Sequence, residues 1–149
     1  MAAKDLYHQA VVKALEADGW MVRKDPLAIT FLNRTVFVDL GIEGVSLIAN
    51  RSGRKIAIEI KSFLSTSPIK DFQEAIGQYL MYELILNETD PEIELWLAVP
   101  VAVYDEFFLE EFTLFVLSKI SISLVIFDQV ASKIVKWIPS ISIGRPPSR

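Results

Sequence analysis

The segment RKIAIEIKSF carries Glu59 and Lys61 two residues apart in an otherwise apolar run. Alternate side chains of a β-strand share a face, so both charges point one way while Ile56, Ile58 and Ile60 point the other way. Burying a charged pair costs more free energy than it returns unless a metal, solvent or another partner compensates it. A carboxylate is a hard oxygen ligand for a divalent cation. A neighbouring lysine can orient a water molecule as an ammonium, or deprotonate it as a neutral amine. The pair therefore indicates a metal-binding or catalytic site. The alternative is an exposed pair on an edge strand, which would add little stability.

The composition bounds the class of protein that carries this pair. At 149 residues the chain is long enough for one domain with a substantial core, and 52% of its residues are hydrophobic. The longest apolar stretches are too short to span a bilayer, and the opening MAAKDLYHQA lacks a secretory signal pattern. We therefore expect a cytoplasmic protein without a membrane segment, whose surplus apolar surface is buried in a homo-oligomer or against a partner. The lack of cysteine excludes disulfides and thiolate metal sites.

The net charge of −4 argues against tight, nonspecific binding to nucleic acid, which depends on dense lysine and arginine. A local basic patch stays open as a DNA contact. Arg51, Arg54 and Lys55 lie together at a predicted hairpin tip, where they either contact phosphates or form only a solvated turn. The C-terminal segment is also basic, through Lys133, Lys136, Arg145 and Arg149.

Periodicity and turn residues predict the elements that position Glu59 and Lys61. Helices are expected over residues 5–18, 69–86 and 105–119. Strands are expected over residues 20–22, 27–31, 35–40, 45–49, 55–63, 94–99, 124–128 and 133–138. Hairpins give antiparallel neighbours and the helix over 69–86 gives a crossover to a parallel strand, so the predicted sheet is mixed. We expect one domain over residues 1–138 and a mobile basic tail over 139–149.

This order of elements, with an acid before a hairpin and Glu-x-Lys on its returning strand, resembles the PD-(D/E)xK nuclease superfamily. The resemblance implies an α/β fold with a restriction endonuclease-like α-β-β-β-α-β core and a mixed central sheet, followed here by a C-terminal helix and β-hairpin. The acid would be Asp39 in VFVDLG. Asp39, Glu59 and the carbonyl of Ile60 would hold Mg²⁺ or Mn²⁺, and Lys61 would position the attacking water and offset charge on the phosphate.

Two further pairs of residues fit the resemblance. Gln78 and Tyr82 in GQYLMY lie four residues apart on one helical face, which resembles the Q-x-x-x-Y motif of RecB-like members, where the glutamine supports the site. This pair could instead only pack the helix on the sheet. Asp5 and His8 on the first helix could assist from the opposite wall. Asp5 is equally explained as a charge favoured by the helix dipole, and His8 as a residue of the helix surface.

The assignment of the first metal ligand leaves two acids open. If the hairpin turns at residues 52–53, a regular ladder does not set Glu59 opposite Asp39. Asp39 reaches the site only if the glycine-containing stretch 41–44 bulges or bends the strand back. Glu43 is then the rival acid. We favour Asp39.

More narrowly, nearly the whole chain resembles the XisH family, the fdxN-element excision controlling factors of cyanobacteria. The matching stretches follow in order over residues 1–138: MAAKDLYHQAVVKALEADGW, VDLG, KIAIEIKSF, GQYLMY, LAVP and IVKWI. The resemblance implies an endonuclease-like fold, a role in DNA rearrangement and a small protein partner of the XisI type. Asn50 departs from the family pattern, which tends to carry an acid at this position.

Two functions follow from these observations. The first is a Mg²⁺-dependent endonuclease-type phosphodiesterase that acts on DNA, which the intact set of Asp39, Glu59 and Lys61 favours. The second is a catalytically silent regulatory protein that keeps the nuclease fold and acts through an XisI-type partner. The acidic isoelectric point and the high hydrophobic fraction favour this second function.

Overall fold

A computed structural model of the protein describes residues 3–23, 30–32, 34–35 and 47–141. The helices are α1 (Ala3–Ala17), α2 (Pro68–Thr89), α3 (Val101–Val103), which continues as a π-helical turn (Tyr104–Phe108), and α4 (Glu111–Lys119). The strands are β1 (Met21–Arg23), β2 (Thr30–Phe31), β3 (Arg34–Thr35), β4 (Leu47–Arg51), β5 (Arg54–Ile60), β6 (Ile93–Pro100), β7 (Leu124–Asp128) and β8 (Lys133–Ile138). No helix within these ranges is long and apolar enough to cross a membrane.

Six strands form one sheet in the order β1-β4-β5-β6-β7-β8, and β2 and β3 form a separate hairpin. β4 and β5 are antiparallel, with Arg51 opposite Arg54, so the hairpin turns at residues 52–53 as predicted. β5 is parallel to β6, β6 is parallel to β7, and β8 returns antiparallel to β7. The predicted mixed α/β sheet is confirmed, and β5 lies in its interior.

Alternating side chains of β5 divide the core into two layers. Ile56 and Ile58 face α1 and pack with Leu15. Ala57 points to the other face, where it packs with Phe72 and other residues of α2. All three β5 side chains have no exposed surface. Burial on both faces is typical of a central strand with a parallel neighbour, and it explains the apolar run that surrounds the two charges.

The α1-side layer contains all three tryptophans of the chain. The ring centroid of Trp137 lies 5.7 Å from that of Trp20 and 5.0 Å from that of Trp96. Their indole Nε1 atoms are buried and have no hydrogen-bond partner within the described residues. Ile141 packs in the same layer, three residues beyond the predicted domain boundary at residue 138. Residues 142–149 of the predicted tail lie outside the described residues.

Helix α2 begins at a serine–proline pair, one residue before the predicted start at residue 69. The hydroxyl of Ser67 accepts a hydrogen bond from the Lys70 amide at 3.3 Å, and Pro68 occupies the first turn. The buried stripe of α2 consists of Phe72, Ala75, Tyr79, Tyr82 and Leu86. Leu84 is 69% exposed, because the helical period turns this position away from the stripe.

The helix predicted over residues 105–119 is divided in two. A π-helical turn over Tyr104–Phe108 ends before α4 starts at Glu111. The turn buries Phe107 and Phe108 together, and both rings contact Phe72 at centroid distances of 5.5 and 5.6 Å. A π-turn widens the helix locally, and such turns are frequent next to functional sites. The adjacent phenylalanines thus fill the α2-side core, and Val116 and Leu117 of α4 pack against the same core.

Candidate functional site at the carboxyl end of β5

The carboxyl end of β5 places Glu59 and Lys61 on the α2 side of the sheet. Glu59 lies beside Leu97 of β6 and is only 5% exposed. The Lys61 amide donates to the carbonyl of Ala98 at 3.0 Å, so the parallel pairing continues one residue beyond β5. Since Ala57 packs against α2, the alternation directs both charged side chains towards the same helix.

The ammonium of Lys61 meets a carboxylate from α2. Its Nζ atom lies 3.7 Å from Oε2 of Glu74, and the two side chains are 22% and 50% exposed. An ion pair this long and this open to solvent contributes little to the free energy of folding. The contact holds the ammonium at the rim of the sheet, where it remains able to approach an anionic group.

Helix α2 presents one row of polar side chains towards this rim. Glu74, Gln78 and Tyr82 follow one another at four-residue spacing on the helix. Tyr82 is fully buried and Gln78 is half-buried, so the row descends from the rim into the α2-side core. The sequence motif predicted Gln78 and Tyr82 but not Glu74. The same four-residue spacing, followed one step backwards from Gln78, would have found it.

The chain that leaves Lys61 is fixed by contacts on both sides. The ring of Phe63 lies 6.2 Å from that of Phe107 and 5.5 Å from that of Phe108, between centroids. The amide and hydroxyl of Ser65 donate to Oδ2 of Asp71 at 3.2 and 2.8 Å. Phe63 has a φ of 56°, a left-handed conformation that persists only where surrounding contacts impose it. These contacts fix the direction in which the chain leaves the sheet after Lys61.

Helix α1 lies on the face of the sheet opposite to Glu59. His8 is half-buried on this helix, and the side chain of Asp5 lies outside the described residues. The ring of Tyr7 meets that of Phe127, at the end of β7, with centroids 6.2 Å apart. The first turns of α1 therefore lie near the same edge of the sheet as the candidate site. The structure places His8 across the sheet from Glu59 rather than beside it.

The predicted metal ligands are described in part. Glu59 is buried and Ile60 is half-buried at the end of β5. Asp39 and its rival Glu43 lie outside the described residues. Within the described ranges, no group of three histidine, cysteine, aspartate or glutamate side chains comes together to hold a metal. A buried carboxylate followed by a main-chain carbonyl supplies hard oxygen donors of the kind that Mg²⁺ prefers, so these two residues fit such a site.

The three basic hairpin residues lie at the other end of β5. Arg54 forms a two-pronged ion pair with Glu94, with Nε–Oε2 and Nη2–Oε1 distances of 2.8 Å. The guanidinium of Arg51 lies 6.0 Å from the ring centroid of Trp20, and Lys55 is exposed. The length of β5, at about 3.3 Å per residue, separates this tip from the candidate site by roughly 16 Å. The structure therefore does not bring the basic tip to the carboxyl end of the strand.

A second polar cluster lies at the far end of α2. The Tyr79 hydroxyl donates to the carbonyl of Leu95 and accepts from the amide of Ser123, both at 3.0 Å. Burial is the main cause that raises the pKa of Tyr79, and burial also raises the pKa of Glu83. These side chains line a cavity of about 250 Å³, which Glu94 also borders. The cluster ties α2 to the amino end of β6 and to the entry of β7.

Comparison with known proteins matches the chain to the family described as XisH protein over residues 1–135. The crystal structure of an XisH family protein from Nostoc punctiforme is 36% identical, with a TM-score of 0.81 over 89% of this chain and 98% of that one. The structure of an fdxN element excision controlling factor protein from Anabaena variabilis is 33% identical, with a TM-score of 0.81 over 90% of this chain and 98% of that one. None of the curated proteins matches the chain. The family match spans most of the chain and both structures exceed 30% identity over nearly their whole length, so this protein belongs to the XisH family.

Proposed function

We propose that this protein controls the excision or rearrangement of a DNA element in the cytoplasm as a metal-dependent phosphodiesterase of the endonuclease type. The observation that carries the proposal is Glu59, a carboxylate only 5% exposed at the carboxyl end of an interior strand. This carboxylate and the main-chain carbonyl of Ile60 supply hard oxygen donors of the kind that Mg²⁺ prefers. Two residues after Glu59, Lys61 offers a partly exposed ammonium on the same side. The Anabaena variabilis relative, described as an fdxN element excision controlling factor, supports the role in DNA rearrangement.

The connectivity of the described elements supports a restriction endonuclease-like core of the PD-(D/E)xK kind. β4 and β5 form the antiparallel hairpin, and α2 crosses over to a parallel neighbour, β6. α1 covers one face of the sheet and α2 the other. In this arrangement Glu-x-Lys lies at the end of the second hairpin strand, as that superfamily requires.

Each residue of the candidate site has a separate role in the proposal. Asp39, Glu59 and the carbonyl of Ile60 would hold Mg²⁺ or Mn²⁺, which when bound supplies positive charge to a phosphate oxygen and acidifies a water. Lys61 positions the attacking water and offsets negative charge that develops on the phosphate. Gln78 supports Lys61 from α2.

The remaining predicted residues have supporting roles. Glu43 is the alternative to Asp39 as the first acid, and Tyr82 closes the core side of the polar row on α2. Asp5 and His8 would act from the α1 side of the same edge. Lys55 is the hairpin residue left to contact DNA phosphates, because Arg51 and Arg54 already contact Trp20 and Glu94.

The second candidate function is a regulatory protein that lacks cleavage activity and acts through an XisI-type partner. The observation that favours it is the outer surface of α4. Phe112 is 55% exposed and Phe115 is 60% exposed, and the acids Glu110 and Glu111 stand beside them. An apolar patch next to acids suits a protein partner with an apolar surface and a basic rim.

Cleavage of DNA separates the two functions. Supercoiled plasmid and branched DNA would be incubated with Mg²⁺ or Mn²⁺ and wild-type protein, Lys61→Ala, or the matched control Lys133→Ala, which removes an exposed lysine of β8. Each protein would be assayed with and without the XisI-type partner. Cleavage by wild type and Lys133→Ala but not by Lys61→Ala supports the nuclease. Intact DNA under every condition overturns it and leaves the regulatory function.

A further inference from the structure

The outward face of α2 carries apolar surface that this fold does not bury. Met81 is 41% exposed and Leu84 is 69% exposed. Gly77 is also exposed, and it lies beside both because positions 77, 81 and 84 share one side of a helix. Lys70 and Glu88 continue the same side towards the two ends of the helix, and both are exposed. We call this set of five residues the α2 outer face.

No contact within the described part of the chain requires a glycine at position 77. A Cβ atom built at this position meets nothing within 4 Å, so no neighbour forces a glycine here. Glycine in the interior of a helix costs about 1 kcal/mol relative to alanine. A depression on the surface of a helix is what a side chain of a second helix needs in order to pack closely. The glycine therefore provides a depression into which a side chain of a second helix fits.

We propose that the α2 outer face packs against the same face of a second copy of this chain, with the two α2 helices antiparallel about a two-fold axis. Such an axis at the level of residue 79 pairs positions that lie equally far before and after it. Gly77 of each copy then faces Met81 of the other, so the flexible thioether fills the depression twice. Lys70 of each copy faces Glu88 of the other, which places opposite charges at both ends of the contact.

The charges of Lys70 and Glu88 favour the antiparallel pair of α2 helices over a parallel pair. A parallel arrangement of the same two helices would set Lys70 against Lys70 and Glu88 against Glu88, which is repulsive at both ends. In a two-fold contact the same surface is presented by both partners. Such a contact suits a helix face with a positive charge at one end and a negative charge at the other. In the antiparallel arrangement the α2 outer face is thus self-complementary.

The oligomeric state tests the proposal directly. Sedimentation of the wild-type protein should give twice the monomer mass of 16.8 kDa. Met81→Lys/Leu84→Lys should sediment as a monomer, while the matched control Phe112→Lys/Phe115→Lys should remain a dimer. Circular dichroism would verify that both variants are folded. A monomeric wild type, or a dimer that survives in a folded Met81→Lys/Leu84→Lys variant, would overturn the proposal.

Cross-linking tests the orientation, and the lack of native cysteine makes it clean. Lys70→Cys and Glu88→Cys would be treated with a short bismaleimide, separately and as an equal mixture. In the antiparallel pair equivalent cysteines lie about 27 Å apart along the helices, so only the mixture should cross-link. Cross-linking of either variant alone in preference to the mixture would refute the antiparallel arrangement.

The two end contacts provide an independent measurement. Lys70→Glu should raise the dimer dissociation constant by about tenfold, because two exposed ion pairs become two repulsive pairs. Lys70→Glu combined with Glu88→Lys restores both pairs with reversed sign and should recover the wild-type constant. A double variant as weak as Lys70→Glu alone would contradict the pairing of these two residues.

Discussion

Arg54 and Lys61 stand near the two ends of β5, and each meets a glutamate from a neighbouring element. Arg54 contacts both carboxylate oxygens of Glu94 at 2.8 Å, and its side chain is 11% exposed. Lys61 reaches a single oxygen of Glu74 at 3.7 Å, and its side chain is 22% exposed. A planar fork that matches both oxygens is strong and directional, whereas a single long contact to an ammonium is neither.

The difference shows what each end of the strand does. At the amino end, the cation is fully engaged and the polar groups around it bond one another, as Tyr79 does with Leu95 and Ser123. At the carboxyl end, the ammonium is only loosely held beside the buried carboxylate of Glu59. Complete pairing is typical of a structural cluster, and incomplete pairing beside a buried charge is typical of a functional one. The predictions below test this division.

The largest expected effect is a loss of DNA cleavage when Lys61 is replaced, in contrast to a loss of stability when Arg54 is replaced. Lys61→Ala should lower DNA cleavage by about 10² to 10⁴-fold, the range for losing a positioned charged group, and barely change the free energy of unfolding. Arg54→Ala should instead cost about 1–3 kcal/mol of stability, because Glu94 loses both hydrogen bonds, and leave the cleavage rate of folded protein unchanged. Urea denaturation and plasmid cleavage would be measured on both variants. The reverse pattern would show that the functional end has been misassigned.

The next effect concerns the hydroxyl that ties α2 to β6 and β7. Tyr79→Phe should lower the free energy of unfolding by about 1–2 kcal/mol, since the Leu95 carbonyl and the Ser123 amide lose their partner. The matched control is Tyr104→Phe. The described contacts of Tyr104 are made by its ring, to Phe108 at 6.1 Å and to the Lys136 Nζ at 4.8 Å. Equal stability of the two variants in urea would contradict the structural role of the Tyr79 hydroxyl.

A metal ion should distinguish the two ends through thermal stability. At a Mg²⁺ or Mn²⁺ concentration ten times the dissociation constant, binding adds about 1.4 kcal/mol, which raises Tm by about 3 to 5 °C for a chain of this size. The shift should vanish in Glu59→Gln and persist in Glu94→Gln, at the opposite end of the sheet. Differential scanning calorimetry with and without the metal gives the comparison. A shift that survives in Glu59→Gln would place the metal elsewhere.

The smallest effect is a pH dependence at the structural end. Burial raises the pKa of Glu83 above its usual 4.5, so the folded chain binds this proton more tightly than the unfolded chain. The stability that the protonated form contributes is fully present below pH 4.5 and is lost as the pH rises through the folded-state pKa. Glu83→Gln should therefore be more stable than wild type at pH 7, by less than about 1 kcal/mol for a group this exposed, and equal to it at pH 4. Urea denaturation at both pH values gives the comparison. A Glu83→Gln variant that is less stable than wild type at pH 7 would contradict the prediction.

Local rules predicted much of the arrangement around Glu59. Strand alternation placed Glu59 and Lys61 on one side, turn chemistry placed the hairpin at residues 52–53, and helical periodicity placed the start of α2 at about residue 69. These features depend on residues adjacent in sequence, so short windows contain the information. The pairing of Lys61 with Glu74 was not predicted, because it depends on which turn of α2 faces the strand.

The failures share the same physical origin. The π-helical turn at Tyr104–Phe108 exists because Phe107 and Phe108 are buried together against Phe72, a contact between distant segments. The sequence also does not show that Glu94 comes to lie beside Arg54, so the ion pair at the hairpin was not predicted. The contact of this hairpin with DNA stays a prediction. Asp39 lies outside the described residues, so its role as a metal ligand stays a prediction.

The three clustered tryptophans make intrinsic fluorescence a selective reporter on this molecule. All three indoles lie on the α1 side of the sheet, in apolar surroundings and at centroid distances that allow rapid energy transfer. The candidate site lies on the α2 side, where the described aromatic residues are phenylalanines and tyrosines. Emission should therefore follow the loosening of α1 from the sheet and remain almost silent to a cation that binds at Glu59. Ligand titrations on this protein need a probe on the other side of the sheet.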